Sequence, residues 1–161
     1  MHCYRVVAIA EAIAGFVRAE HVSPIYRHPA HTEVATGYGP CRLCLRTFEI
    51  GHERRILFTY DAFFHAKERF PLPGPVFVHE AACERYPEDA GFPGDLRSHR
   101  LTLDAYGRGR TVRGETRVES GMAEAAIEAL LDNPEVDYIH VRDTEAGCFD
   151  FAVERASVRF E

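Results

Sequence analysis

The stretch Gly39-Pro40-Cys41-Arg42-Leu43-Cys44-Leu45-Arg46 carries two thiols spaced C-x2-C, and a second pair, His79 and Cys83, follows at H-x3-C. Residues 45–78 lie between the pairs, a length suited to one zinc site closing a β-rich loop. Zinc takes thiolate and imidazole ligands in a tetrahedron, and structural sites of the Cys3His type fill all four positions with protein. In a C-x2-C turn both sulfurs can face one metal while nearby backbone N–H groups stabilise their negative charge. Gly51, after Phe48, Glu49 and Ile50, suits a bend between two short strands. If residues 81–86 form a helical turn, His79 and Cys83 share a face at its N-terminus, where a thiolate is favoured. Knuckle, hairpin and helix start together describe a treble-clef-like zinc site.

Two other readings of the same residues stay open: packed thiols without a metal, and a redox dithiol at Cys41 and Cys44. The redox reading lacks a surrounding βαβ pattern. If all four residues bind one metal, no position is left for a water, and closed sites are structural where catalytic ones need an open position. Glu80, the nearest spare carboxylate, reads as solvated.

Outward from the quartet, residues 4–8 read as a strand and 11–18 as a short helix burying Ile13, Phe16 and Val17 at helical spacing. Pro24, Pro29 and residues 37–40 mark an irregular stretch in which His21, His28 and His31 read as solvated loop histidines. Strands are expected over 55–60 and 76–78, separated by a loop with a helical turn over 63–75. Leu101 and Leu103 alternate with polar residues, residues 106–109 form a turn, and 111–118 return as the partner strand. Ser120 is placed to cap a helix over 122–131, whose apolar face is Met122, Ala126, Ile127, Leu130 and Leu131. Strands outnumber helices without regular interleaving. The expected fold is α+β: a single compact domain over residues 1–161, mostly antiparallel sheet with two or three short helices.

The length, 161 residues, fits one domain. A net charge of −6 gives a nucleic-acid partner no general electrostatic help. Lys67 is the only lysine, and the abundant arginines suit bidentate contacts with carboxylates or phosphates. No stretch is apolar enough to span a membrane, and the uncharged run over 6–10 is short for a signal sequence. Five cysteines, an odd number, fit a reducing cytoplasm better than a disulfide framework.

The last unit is a hairpin, 138–142 with 148–155. Pairing Ile139 with Phe151 and Val141 with Phe149 keeps one face buried. His140 then opposes Asp150 and Arg142 opposes Cys148. A histidine beside a thiol is raw material for a nucleophilic site, with Cys148 as nucleophile, His140 as base and Arg142 as an anion-holding group. The plainer alternative is a half-solvated sheet face with a salt bridge.

Residues 39–46, Gly74-Pro-Val-Phe-Val-His79, Cys83-Glu-Arg-Tyr86, Leu103-Asp-Ala-Tyr106, Tyr138-Ile-His-Val-Arg142 and Gly147-Cys-Phe149 occur in an order and spacing that resembles the bacterial family known as domain of unknown function 1203. The resemblance runs from about residue 36 to the C-terminus. It implies a compact bacterial α+β domain and no particular activity. His140 and Cys148 fit the family pattern, whereas Asp150 departs from the usual residue after Gly-Cys-aromatic. The expectation is therefore a cytoplasmic, zinc-stabilised binding or interaction domain, with exposed strand faces that allow a homodimer. The alternatives are a small enzyme using Cys148 with His140, and a Cys41–Cys44 dithiol redox protein.

Overall fold

The computed structural model describes residues 3–62 and 74–156, so nearly all of the loop expected over 63–75 lies outside the described residues. In chain order the elements are β1 (Tyr4–Val7), α1 (Glu11–Glu20), β2 (His31–Val34), β3 (Arg54–Tyr60), β4 (Gly74–His79), β5 (Leu101–Tyr106), β6 (Val112–Val118), α2 (Ala123–Leu131), β7 (Tyr138–Asp143) and β8 (Phe149–Arg155), with short 3-10 turns at Gly94–Leu96 and Arg108–Arg110. Two α-helices and two antiparallel sheets make the fold α+β, as the patterning implies. No helix among the described residues is long and apolar enough to cross a membrane. The chain divides into two compact units, one of Met1–Ala8 with Tyr86–Glu161, the other of Ile9–Arg85.

The first unit is built on a five-stranded sheet of order β1-β8-β7-β5-β6. One face is apolar because alternate residues share it: Val6 opposes Val153, Val153 opposes Ile139, Val141 opposes Phe151, and Leu103 opposes Val141. All of these are fully buried. Phe92 stacks edge-on against Phe151 at 5.7 Å, and α2 packs its Ile127 and Leu131 side against β5 and β6. Helix α2 starts at Met122 without a side-chain cap, so Ser120 does not cap it; Gly121, at φ +79°, turns the chain just before the helix.

The hairpin register differs from expectation by two residues. Ile139 opposes Val153, His140 opposes Ala152, and Arg142 opposes Phe149, with a bulge between Val141 and Arg142. Asp150 is fully buried. Up to Val141 the slip is two residues, which keeps Ile139, Val141, Phe151 and Val153 on one face, so alternation of those residues could not choose between the registers; at the bulge the slip becomes one and Phe149 lies beside His140.

The second unit carries α1 and a three-stranded sheet of order β2-β3-β4. Ile56 opposes Val78 and Phe58 opposes Val76, and all four are buried. Helix α1 buries Ala14 and Val17, leaves Ile13 and Phe16 only half-buried, and packs on β3. It ends at His21 in the left-handed region, with the His21 N–H on the Val17 carbonyl. Two local expectations fail here. Residues 31–34, inside the stretch read as irregular, form β2 and pair with β3. Residues 81–86, read as a helical turn, contain no helix. His28 is exposed, as expected of a loop histidine, although its ring lies 3.2 Å from the Ser23 Oγ and 3.0 Å from the Thr59 Oγ1.

Candidate metal centre

The knuckle forms from its own backbone. The Leu45 N–H donates to the Cys41 carbonyl at 2.8 Å and the Cys41 N–H to the Arg46 carbonyl at 2.9 Å. Closing so tight a turn puts Leu45 at φ +57°, in the left-handed region that usually takes glycine. Complete burial of the Leu45 side chain compensates for that conformation.

The knuckle lies along the edge of β4. Cys41 bridges Phe77 in a parallel sense, and the Arg42 N–H donates to the Phe77 carbonyl at 2.9 Å. This docking needs a glycine at position 39, where φ is +151° and a Cβ would stand 2.7 Å from the Phe77 ring. Phe77 is held on its other contacts by the Arg55 guanidinium, 3.9 Å from the ring centroid, which is itself fixed by Glu33 and the Gly37 carbonyl.

Docking on β4 brings Cys41 beside His79, the last residue of that strand. The His79 N–H points at the Cys41 sulfur at 3.4 Å. The ligand atoms of Cys41, Cys44, His79 and Cys83 all lie within 4.8 Å of one another. Cys41 and Cys83 sulfurs are 3.9 Å apart, and the Cys44 sulfur is 3.4 Å from His79 Nδ1. Cys41, Cys44 and His79 are buried and Cys83 half-buried. This is a Cys3His group able to hold a metal ion.

The surroundings favour a thiolate at Cys44. Backbone N–H groups of Cys44 and Arg46 donate to the sulfurs of Cys41 and Cys44 respectively. Hydrogen bonds from Cys41 and Cys83, joined by those from His79 and the Arg46 N–H, pull the Cys44 thiol well below its ordinary value. The hydrogen bonds to Cys44 and Cys83, with burial, push Cys41 up instead. The protein without metal thus keeps protons among sulfurs that a cation would displace. Burial works to lower His79, but the Cys44 and Cys83 sulfurs outweigh it and hold the imidazole up at about 9. Two guanidinium groups complete the setting. Arg46 hydrogen-bonds the Cys44 sulfur, which raises its own pKa. Arg18, on α1, places Nη2 3.3 Å from the Cys83 sulfur and Nε 2.9 Å from the His79 carbonyl. Three thiolates, an imidazole and a divalent cation leave one net negative charge for these arginines to balance.

Arg18 also accounts for the missing helix at 81–86. Its two hydrogen bonds hold the chain on both sides of residue 80, and the Arg85 Nε reaches the Ile9 carbonyl at 3.2 Å. A bend at residues 80 and 81 followed by an irregular segment accompanies these contacts and delivers Cys83 to the cluster. Arg46 ends the knuckle motif itself, two residues after Cys44, whereas no motif marks Arg18: sequence reasoning finds thiols and imidazoles by spacing, but not a cation that arrives from a separate helix.

The other residues singled out in the sequence lie in the first unit. His140, on β7, stands opposite Asp104 and within 5.1–5.3 Å of the rings of Phe149, Tyr106 and Tyr138. Burial lowers its pKa to about 4 despite the opposing pull of Asp104, with Arg110 adding to the lowering, so it is neutral at pH 7 and a weak base. Arg142 pairs with Asp104 at 2.7 Å and with Glu115 at 3.0 Å. Cys148, half-buried in the turn before β8, has its sulfur 3.8 Å from the Ala146 carbonyl. The register places Phe149, not Cys148, opposite Arg142.

No curated protein and no solved structure matches the chain. Residues 38–155 match the family described as protein of unknown function (DUF1203), a span that takes in all four ligand residues and both sequence motifs, and the chain belongs to that family.

Proposed function

We propose that this protein is a zinc-stabilised binding or interaction domain in which Cys41, Cys44, His79 and Cys83 hold one structural zinc ion. The observation that carries this reading is the convergence of four ligand atoms within 4.8 Å of one another, three of them on buried residues. Zinc–sulfur bonds of about 2.3 Å and zinc–nitrogen bonds of about 2.0 Å imply tetrahedral edges of about 3.8 Å between sulfurs and about 3.5 Å between sulfur and nitrogen. The spacings of 3.9 Å for Cys41–Cys83 and 3.4 Å for Cys44–His79 fit those edges. A soft donor set of three thiols and one imidazole suits zinc over the hard cations calcium and magnesium, which take oxygen. With all four positions supplied by the chain, the ion's role is to hold the second unit together, not to activate water.

A binding role is supported by the surface of the same unit. Val34, Tyr38 and Ile50 are exposed, and β2 is the outer strand of its sheet. An open strand edge offers backbone groups for pairing with a partner's extended segment. Metal analysis of protein purified without a histidine tag tests the premise. One zinc per chain is expected, together with loss of folding on addition of a strong chelator. A metal-free protein that is stable overturns it.

A further inference from the structure

Resting on the metal site proposed above, we infer that Glu53 is the positioning residue of that site: its carboxylate accepts the Nε2–H of His79 and thereby presents Nδ1 as the metal-binding nitrogen.

The imidazole of His79 has its two nitrogens in opposite surroundings. Nδ1 faces the Cys44 sulfur at 3.4 Å, inside the thiol cluster. Nε2 faces Glu53 Oε1 at 3.2 Å. In a neutral imidazole one nitrogen carries the proton and the other the lone pair, and the partner of the first selects which is which. A carboxylate can only accept, so when a cation takes the place of the Nδ1 proton the proton that stays is the one on Nε2, and the Nδ1 lone pair faces the sulfurs. Metal-ligating histidines commonly donate their second nitrogen to a carboxylate, which orients the ring and makes it a stronger ligand.

Glu53 is itself fixed. Its Oε2 accepts the Glu49 N–H at 2.7 Å, its own N–H donates to the Glu49 carbonyl at 2.9 Å, and its carbonyl accepts the Ala35 N–H at 2.9 Å. One carboxylate oxygen therefore closes the turn before β3, while the other stands 3.2 Å from a buried Nε2 that has no hydrogen-bond partner of its own. Phe48 packs on the same imidazole with ring centroids 4.4 Å apart, restricting its rotation from the side. Thus β3 and the turn before it, which contribute no ligand, set the ligand's orientation. Arg46, whose pKa is raised by the Cys44 sulfur first and by Glu53 as well, offsets part of the added negative charge.

The test is a competitive zinc titration of the full chain against a chromophoric chelator for wild type, Glu53→Ala, Glu53→Gln and Glu80→Ala, with long-range proton–nitrogen NMR on the zinc-loaded samples. Glu80 pairs with Arg54 and lines the same open surface cavity as Glu53, so it controls for a general loss of negative charge. Glu53→Ala is expected to weaken zinc binding about 10–100-fold. Glu53→Gln keeps the shape and one acceptor oxygen, enough for one of the two N–H groups, and so guards against a folding failure; it should lose less. Glu80→Ala should bind as wild type does. The wild-type spectrum should show His79 bound through Nδ1 with a slowly exchanging proton on Nε2, and Glu53→Ala should lose that slow exchange. Metal bound through Nε2, or Glu53→Ala binding zinc within twofold of wild type, overturns the inference while leaving the zinc site standing. A wild type that binds no zinc overturns both.

Discussion

The two units of this protein bury different things. In the unit of Met1–Ala8 with Tyr86–Glu161, the buried layer of the five-stranded sheet is hydrocarbon: Val6, Leu103, Ile139, Val141, Phe151 and Val153. In the unit of Ile9–Arg85, a three-stranded sheet and one helix enclose Cys41, Cys44 and His79 beside Ile56, Phe58, Val76 and Val78. Burying a polar group costs free energy unless its interactions are replaced, and burying a charge costs more. The apolar face of the first unit's sheet gains stability from buried hydrocarbon, with Asp104, His140 and Asp150 buried elsewhere in that unit. The second holds groups that favour burial only when a cation takes the place of their protons. A small sheet with few strands has little hydrocarbon to enclose, and on the proposed reading a metal would supply what the core lacks.

Three experiments bear on this contrast. The largest effect is expected from Cys44→Ala, which removes a ligand and leaves the other three without a complete coordination sphere. Structural zinc contributes on the order of 10 kcal/mol to small metal-dependent folds. Hydrogen exchange read by mass spectrometry should show β3 and β4 losing protection while β5 and β7 keep theirs. Equal loss in both units would mean that they unfold as one cooperative body, and the contrast would fail.

A cavity in the other unit should do the reverse. Phe151 is fully buried against Phe92, so Phe151→Ala is expected to cost about 3–5 kcal/mol in urea unfolding. Zinc content should stay at one per chain. A Phe151→Ala protein that loses its metal at neutral pH would show that the hydrocarbon core also supports the metal unit.

The smallest effect concerns acid. His140 has its pKa lowered from 6.5 to about 4, mainly by burial. Below 6.5 the unfolded chain takes up a proton that the folded chain refuses, so the unfolded state binds more protons and stability falls as pH drops. The loss spans pH 6.5 to about 4 and totals about 3 kcal/mol. The His140 ring signals in NMR should titrate with a midpoint near 4. A midpoint near 6.5 would show that the ring is solvated and that this face of the sheet does not bury charge-averse groups.

Part of this arrangement is legible from sequence because it depends on local chemistry. The C-x2-C turn closes by bonds between residues 41, 45 and 46, so its spacing alone announces it. The apolar alternation of 101–106, 138–143 and 149–155 announces strands for the same reason: one buried face requires it. Other parts are not. Residues 31–34, His-Thr-Glu-Val, are only half-buried or exposed, and they are a strand because β3 offers its edge. Ala81 and Ala82 have helical propensity, yet the segment is irregular, and the Arg18 contact with Cys83 ties it to the thiol cluster. The β7–β8 register includes a bulge between Val141 and Arg142 that strict alternation does not announce.

What the sequence determined by itself was therefore the inventory: an α+β chain, a thiol and imidazole quartet at metal-ligand spacing, and a family marked by the motifs around it. Local bonding and side-chain period are short-range properties, written in neighbouring residues. Only the tertiary structure decided that the four ligand atoms meet, that Arg18 reaches the Cys83 sulfur, and that Glu53 stands behind His79. Those relations join residues far apart in the chain, and such partners are chosen by packing and by the need to satisfy buried charge, neither of which has a spacing to read.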